Sequence, residues 1–268
     1  MTKRKKIGLA LGSGAYRGFA HIGALKALSK NGITIDYLSG ASIGAWVAAY
    51  FAMFENTIQL EKDLIDNRQE NLSLLFDLNW GGGFIGGNRF IKYLEKRLQG
   101  YRFADLKIPL SIIATDLTTA QPYIFSRGSI ATAVRASTSV PVLFKPLEHN
   151  NRLLVDGAMS NPVPCNVVRE MGADIVIGIN LYHDNEFQKN RLSLSQVVVR
   201  SSIVMLHNLA KSSLAAADVI IKPDLSQFGS RSGISKYFTK KIAEDMIMEG
   251  EKATEEAIPE IKRRLEEK

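Results

Sequence analysis

A short apolar run, Ile33 to Leu38, leads into Gly40-Ala41-Ser42-Ile43-Gly44, and helix-like residues follow at once from Ala45 to Phe54. A serine between two glycines at a strand-to-helix turn is the setting of a nucleophile elbow, a sharp bend that pushes the hydroxyl clear of the backbone. The glycines belong there because the chain crowds the bend on both sides. Just upstream, Ile7 to Leu11 reads as a buried strand stopped by Gly12. Gly18 to Lys30 then carries helical apolar spacing (Phe19, Ile22, Leu25, Leu28) and stops at Asn31-Gly32. Two strand-then-helix units within the first 54 residues predict an α/β fold built on a parallel sheet.

The pattern continues along the chain. Residues 57–100 read as helical around a glycine-rich break, Gly81 to Gly87, with Asn88 capping a helix that runs to about Leu98. Pro109 to Leu117 and Pro122 to Phe125 read as strands, Ser129 to Ala136 as a short helix, and Arg152 to Val155 as a strand ending at Asp156-Gly157. A helix over Val163 to Met171, a buried strand over Asp174 to Asn180, a long amphipathic helix over Ser195 to Ala217 and a last strand over Val219 to Lys222 follow. The Glu- and Lys-rich end is helical, and Pro259 is expected to open a separate final helix.

With 268 residues, 46% of them hydrophobic, the chain is large enough for one well-buried α/β domain. Its only cysteine, Cys165, excludes an intrachain disulfide and a thiolate zinc site. Net charge is +7, and Lys3, Arg4, Lys5 and Lys6 carry four of those charges. That basic start reads as a solvated tail or as a weak attraction to anionic headgroups. Nucleic-acid binding is not expected, because no interleaved basic and aromatic patches appear elsewhere. The first apolar run breaks after five residues, too short for a secretory leader, and no stretch reaches transmembrane length. The expectation is a cytoplasmic protein, with peripheral contact at the inner face of the membrane left open.

An acyl-transfer serine needs oxyanion donors, a base and an apolar place for substrate. Gly12-Ser13-Gly14-Ala15-Tyr16-Arg17-Gly18 lies between the first strand and its helix, where outward N–H groups favour negative charge. The same glycines resemble a dinucleotide loop, a reading that wants an acid at the end of the second strand. For the base, the four histidines are poorly placed; His183, beside Asp184, is the best of them. Asp156, at a strand end among small residues, is the better candidate, with Asp116 as its rival. Phe84 and Ile85, and Val142, Leu143 and Phe144, are candidate pocket walls. There is no metal or Walker pattern, and no cofactor is expected.

Four blocks in order give the chain a wider resemblance. They are Leu11 to Gly23, Gly40 to Gly44, Ala136 to Pro146, and Asp156-Gly157-Ala158 followed by Asn161-Pro162-Val163-Pro164; Ala114-Thr115-Asp116-Leu117 adds to them. Over residues 5 to 180 the chain resembles the patatin-like phospholipases, specifically the small bacterial type. The resemblance implies a three-layer α/β/α fold with a mostly parallel central sheet. It implies a Ser–Asp dyad acting on lipid esters, in which Ser42 attacks and Asp156 accepts its proton. It also implies an oxyanion hole in the loop bearing Gly12, Gly14, Ala15 and Arg17, with Gly40 and Gly44 forming the elbow. The family's loop is usually glycine where this chain has Ser13 and Ala15, and Ala15 fits only if its backbone avoids positive φ. Arg17 either holds the loop or meets a phosphate. On this reading residues 5–222 form the catalytic domain, and residues 223–268 are a helical extension packed on it and a candidate self-association surface. Two other readings stay open: an adaptor that keeps the fold with negligible turnover, and a nucleotide-binding protein using the Gly12 loop.

Overall fold

The computed structural model describes residues 4–66, 88–98, 100–141, 143–183, 193–228 and 239–267. Among them eight strands form one sheet: β1 (Ile7–Leu11), β2 (Tyr37–Ala41), β3 (Leu110–Asp116), β4 (Gln121–Phe125), β5 (Leu147–His149), β6 (Arg152–Asp156), β7 (Ile175–Ile179) and β8 (Val219–Ile221). Their order is β5-β6-β3-β2-β1-β7-β8, with β4 also paired to β3. The run β3-β2-β1-β7-β8 is parallel, while β4 and β6 pair antiparallel with β3 and β5 pairs antiparallel with β6.

The alternation along β1 shows why the sheet is covered on both faces. Ile7, Leu9 and Leu11 belong to the larger core, shared with α1 (Phe19–Lys30) and α2 (Ile43–Phe54). Ala10 points the other way, into a second core with Val163, Cys165, Val168 and Val176 around α6 (Cys165–Glu170). A period-2 strand that is apolar at every position must be buried on both sides, which is the signature of a parallel sheet between helical layers. Helix α2 is buried from Gly44 to Met53 and apolar all round, as a helix enclosed on every side should be. Four more helices are described: α3 (Thr57–Asp66), α4 (Asn88–Arg97), α5 (Ile130–Ser137) and α7 (Leu194–Ser213).

The last helix, α8 (Lys240–Glu266), packs along α1. The crossing is closest at two glycines. A Cβ on Gly23 would stand 1.9 Å from the Ile247 carbonyl, and one on Gly250 would stand 2.0 Å from that of Ala20. No side chain fits between backbones at that distance.

Several boundaries differ from the sequence reading, two of them for a clear physical reason. Pro259 does not open a new helix; α8 runs through it. The turns around it are held by Ile258 and Ile261 in the core and by Glu260 with Arg263 and Arg264. The second strand begins at Tyr37 rather than Ile33. Ile33 and Ile35 are buried on the approach to the sheet, while the Asp36 carboxylate accepts from the Ile7 N–H and from Arg4. Those residues are apolar for packing and lie outside the ladder.

Candidate active site

The register of β3 brings two distant segments together. Along one edge of β3, Ala41 of β2 pairs with Ile113, and Asp156 of β6 pairs with the next residue, Ala114. Strand β2 runs parallel to β3 and β6 runs against it, so the two advance head-on and their ends meet. Ser42 follows the end of one and Asp156 is the last residue of the other. The Ser42 hydroxyl donates to Oδ2 of Asp156 at 2.6 Å, and the Ala158 N–H donates to Oδ1 at 2.8 Å. One carboxylate oxygen is thereby fixed by backbone, and the other faces the serine.

Ser42 itself is bent. Its φ is 54° and its ψ −124°, a sparsely populated conformation for a residue with a side chain. The bend is over-determined by its glycines. A Cβ on Gly40 would stand 2.5 Å from the Gly44 carbonyl, and one on Gly44 would stand 2.1 Å from that of Leu11. The Ser42 N–H is satisfied by the Ser137 hydroxyl at 2.8 Å.

Burial pushes the Asp156 carboxyl up to about 6, with the Ser42 hydroxyl and the Ala158 N–H pulling it back. Removing a carboxylate from water disfavours its charge and makes it a stronger base. The rival acid is in the opposite state. Asp116 accepts from the hydroxyl and N–H of Thr118 and from Arg152, bonds that hold it down to about 2.

The loop before α1 is pinned from several sides. The Gly12 N–H donates to the Ile179 carbonyl and the Ser13 N–H to that of Pro162. The Ser13 and Tyr182 hydroxyls are 2.7 Å apart, and the Arg17 guanidinium donates to the Leu181 carbonyl. Arg17 is thus an anchor of the loop. Among the described residues, the N–H groups of Gly14 and Ala15 have no protein acceptor. Gly12 lies in the loop, but its own donor is taken. The condition set for Ala15 is not met: it sits at φ 52°, in the left-handed region that glycine adopts more easily, held there at a backbone cost with its N–H still unbonded among the described residues.

The histidines are engaged elsewhere. His21 is fully buried; its Nε2–H donates to the Gly12 carbonyl at 2.7 Å, and burial lowers its ring to about 4. His183 accepts from the Leu225 N–H, so it is a packing residue and not a partner of Ser42. Of the expected pocket walls, Phe84 and Ile85 lie outside the described residues, as does Val142. Phe144 does not line an opening: it is buried in the main core with the Arg135 guanidinium over its ring. Leu143 is half exposed. Cys165 is buried, and its thiol is pushed up to about 12. The acid that a dinucleotide loop wants is missing from the end of β2, because Asp36 precedes that strand and is bound to Arg4 and Ile7.

A model of the patatin-like phospholipases matches residues 9–169, more than half of the chain and the span that holds Ser42 and Asp156. The chain belongs to the patatin-like phospholipase family. Putative patatin-like phospholipase domain-containing protein M110.7 of Caenorhabditis elegans is 33% identical over 182 residues, covering 65% of this chain and 17% of that protein. The uncharacterized NTE family protein Mb1092c of Mycobacterium bovis is 32% identical over 178 residues, covering 66% of this chain and 49% of its own length. The chain therefore spans half or less of these relatives. Among solved structures, VipD from Legionella pneumophila superposes with a TM-score of 0.64 at 14% identity, over 97% of this chain and 67% of that one. At that identity the likeness is one of fold.

Within this patatin-like site, sequence reasoning missed the residues that hold the pair in place. Besides the Ser137 hydroxyl, the Ser139 carbonyl accepts the Asp156 N–H, and the Thr115 hydroxyl donates to the Asp156 carbonyl at 2.8 Å. All three lie in blocks that carried the family resemblance, so a signal was present. What each hydroxyl or carbonyl would touch was not.

Proposed function

We propose that this chain is a serine acyl hydrolase of the phospholipase, lysophospholipase or esterase type, cleaving carboxylic esters of lipids. The observation that carries the proposal is the buried Ser42–Asp156 hydrogen bond, made to a carboxylate that desolvation has turned into a stronger base. Ser42 attacks the ester carbonyl as its proton passes to Oδ2 of Asp156. The tetrahedral oxyanion meets the N–H groups of Gly14 and Ala15, which are left without protein acceptors. Asp156 then returns the proton to the departing alkoxide, leaving an acyl group on Ser42. A water activated by the same carboxylate hydrolyses it. The strained Ser42 backbone holds Oγ in place, as hydroxyl in the first step and as acyl ester in the second.

The reading takes residues 5–222 as the catalytic domain and 223–268 as an extension on it, supported by the packing of α8 against α1. The test is hydrolysis of p-nitrophenyl butyrate by purified protein, with a fluorophosphonate probe to mark the nucleophile. Ser42→Ala and Asp156→Asn are each expected to lower the rate by roughly a thousandfold, and the probe should label Ser42. An unchanged rate in Ser42→Ala, or labelling elsewhere, would sink the proposal.

A further inference from the structure

Helix α7 carries an apolar stripe that nothing in the described structure covers. Leu194 is 82% exposed, Val198 60% and Met205 62%, with Val197 and Val204 beside them. Positions 194, 197, 198, 201, 204 and 205 share one face of a helix, and the only polar member of that set is Ser201. A folded domain tends to keep such residues scattered; gathered on one exposed face, they mark a contact surface.

Three observations decide what it contacts. The first is charge. From Leu194 to Ser213 the helix has Arg200 and Lys211 and no Asp or Glu, and the whole chain is net positive. An apolar face on a helix without carboxylates, in a chain of net charge +7, matches an anionic lipid surface. The second is size. Five side chains fall well short of the roughly 20–30 residues a side used by a stable protein–protein interface. Self-association on this face would also bring together two chains of net charge +7.

The third is position. Strands β1 and β7 end level, with Leu11 paired to Ile179, and the Gly12 N–H bonds the Ile179 carbonyl. Helix α7 leads from β7 to the parallel strand β8, and its C-terminal half packs at the end of the sheet where Ser42 lies: the His207 ring meets Tyr182, and the Ser213 hydroxyl accepts from the Val163 N–H. Leu194, Val197 and Val198 lie in its first turns, before His207, and Val204 and Met205 continue the same face. Exposed Met159 and Val140 flank the same site: Met159 lies three residues past Asp156, and Val140 directly follows Ser139.

We infer that the N-terminal half of α7, with the apolar rim of the site, is a docking surface for a lipid bilayer bearing anionic headgroups. It seats the chain so that an ester in the leaflet reaches Ser42. The route to Ser42 rests on the acyl-hydrolase reading; the docking itself does not.

The experiment is co-sedimentation with sucrose-loaded vesicles of phosphatidylglycerol and phosphatidylcholine, and of phosphatidylcholine alone. Wild type is expected to bind the anionic vesicles more tightly. A Leu194→Asp/Val198→Asp variant is expected to lose roughly tenfold or more in that binding, while its circular dichroism and its hydrolysis of soluble p-nitrophenyl butyrate stay unchanged. An Ile58→Asp variant, altering an equally exposed residue on α3, should bind as wild type does. The proposal is overturned if the double variant binds like wild type, or if wild type does not bind. It is also overturned if light scattering shows a wild-type dimer that the variant loses while vesicle binding persists. If the chain binds vesicles through α7 but Ser42→Ala does not change ester hydrolysis, the docking surface stands and the acyl-hydrolase reading falls.

Discussion

Ala41 and Asp156 lie end to end against one strand, paired with the consecutive residues Ile113 and Ala114 of β3. Strands running head-on leave their ends closer together than any loop could reliably hold them. The separation of Ser42 from Asp156 is therefore set by backbone ladders on both sides, and the hydroxyl–carboxylate bond follows from it.

The pH dependence follows from the Asp156 carboxyl at about 6. The proposed mechanism uses the carboxylate as base, so kcat/KM for a soluble ester should rise with pH through about 6 and then level. Stability runs the other way. A carboxyl raised from 3.8 to about 6 on folding contributes stability that is full below pH 4 and lost as pH rises through 6. Asp156→Asn should therefore raise the unfolding free energy at pH 8 by on the order of 2–3 kcal/mol while lowering activity roughly a thousandfold. Denaturant unfolding at pH 4 and pH 8 checks this: the gain should vanish at pH 4.

Asp116→Asn gives the contrasting result. Thr118 and Arg152 hold that carboxyl down to about 2, so its contribution is present above pH 4 and lost as pH falls through 2. The substitution should lower thermal stability at pH 7, with little effect near pH 2, and leave ester hydrolysis near the wild-type rate. A loss of turnover as deep as that of Asp156→Asn would mean the proton acceptor is misassigned.

Ala15 tests the loop. Its left-handed backbone costs a residue with a Cβ about 1 kcal/mol more than glycine. Ala15→Gly should keep or raise kcat, with stability within about 1 kcal/mol of wild type, because glycine's extra freedom in the unfolded chain offsets the relief. Ala15→Val forces a β-branched side chain into the same conformation and should lower kcat by roughly tenfold or more. Equal kcat in all three proteins would show that this N–H plays no part in the reaction.

The α1–α8 crossing leaves no room for a methyl group at Gly23 or Gly250. Either change to alanine should destabilise the protein by about 2–3 kcal/mol, despite alanine's better helix propensity. Urea unfolding monitored by circular dichroism measures it.

By itself the sequence determined whatever is local in the chain. The strand-then-helix alternation predicted the parallel sheet, and Gly40 and Gly44 around Ser42 marked the elbow, because a tight bend leaves its requirement in adjacent residues. Asp156 was legible as a strand-end acid, and the resemblance to patatin-like phospholipases singled it out from Asp116. Only the tertiary structure decided the rest. Both strand-end aspartates are buried; β3 register sets Asp156 beside Ser42 with its carboxyl raised, while Thr118 and Arg152 compensate Asp116 and hold it down. Ser137 and Thr115 act through their hydroxyls and Ser139 through its carbonyl, each on a backbone group of the pair, and those partners are fixed by packing, not by neighbours in sequence. Pro259 shows the converse: a local rule for ending a helix yielded to the burial of Ile258 and Ile261 on either side of it. Ser42 and Asp156 stand 114 residues apart in the chain. No local signal spans that distance; two strands meeting along a third do.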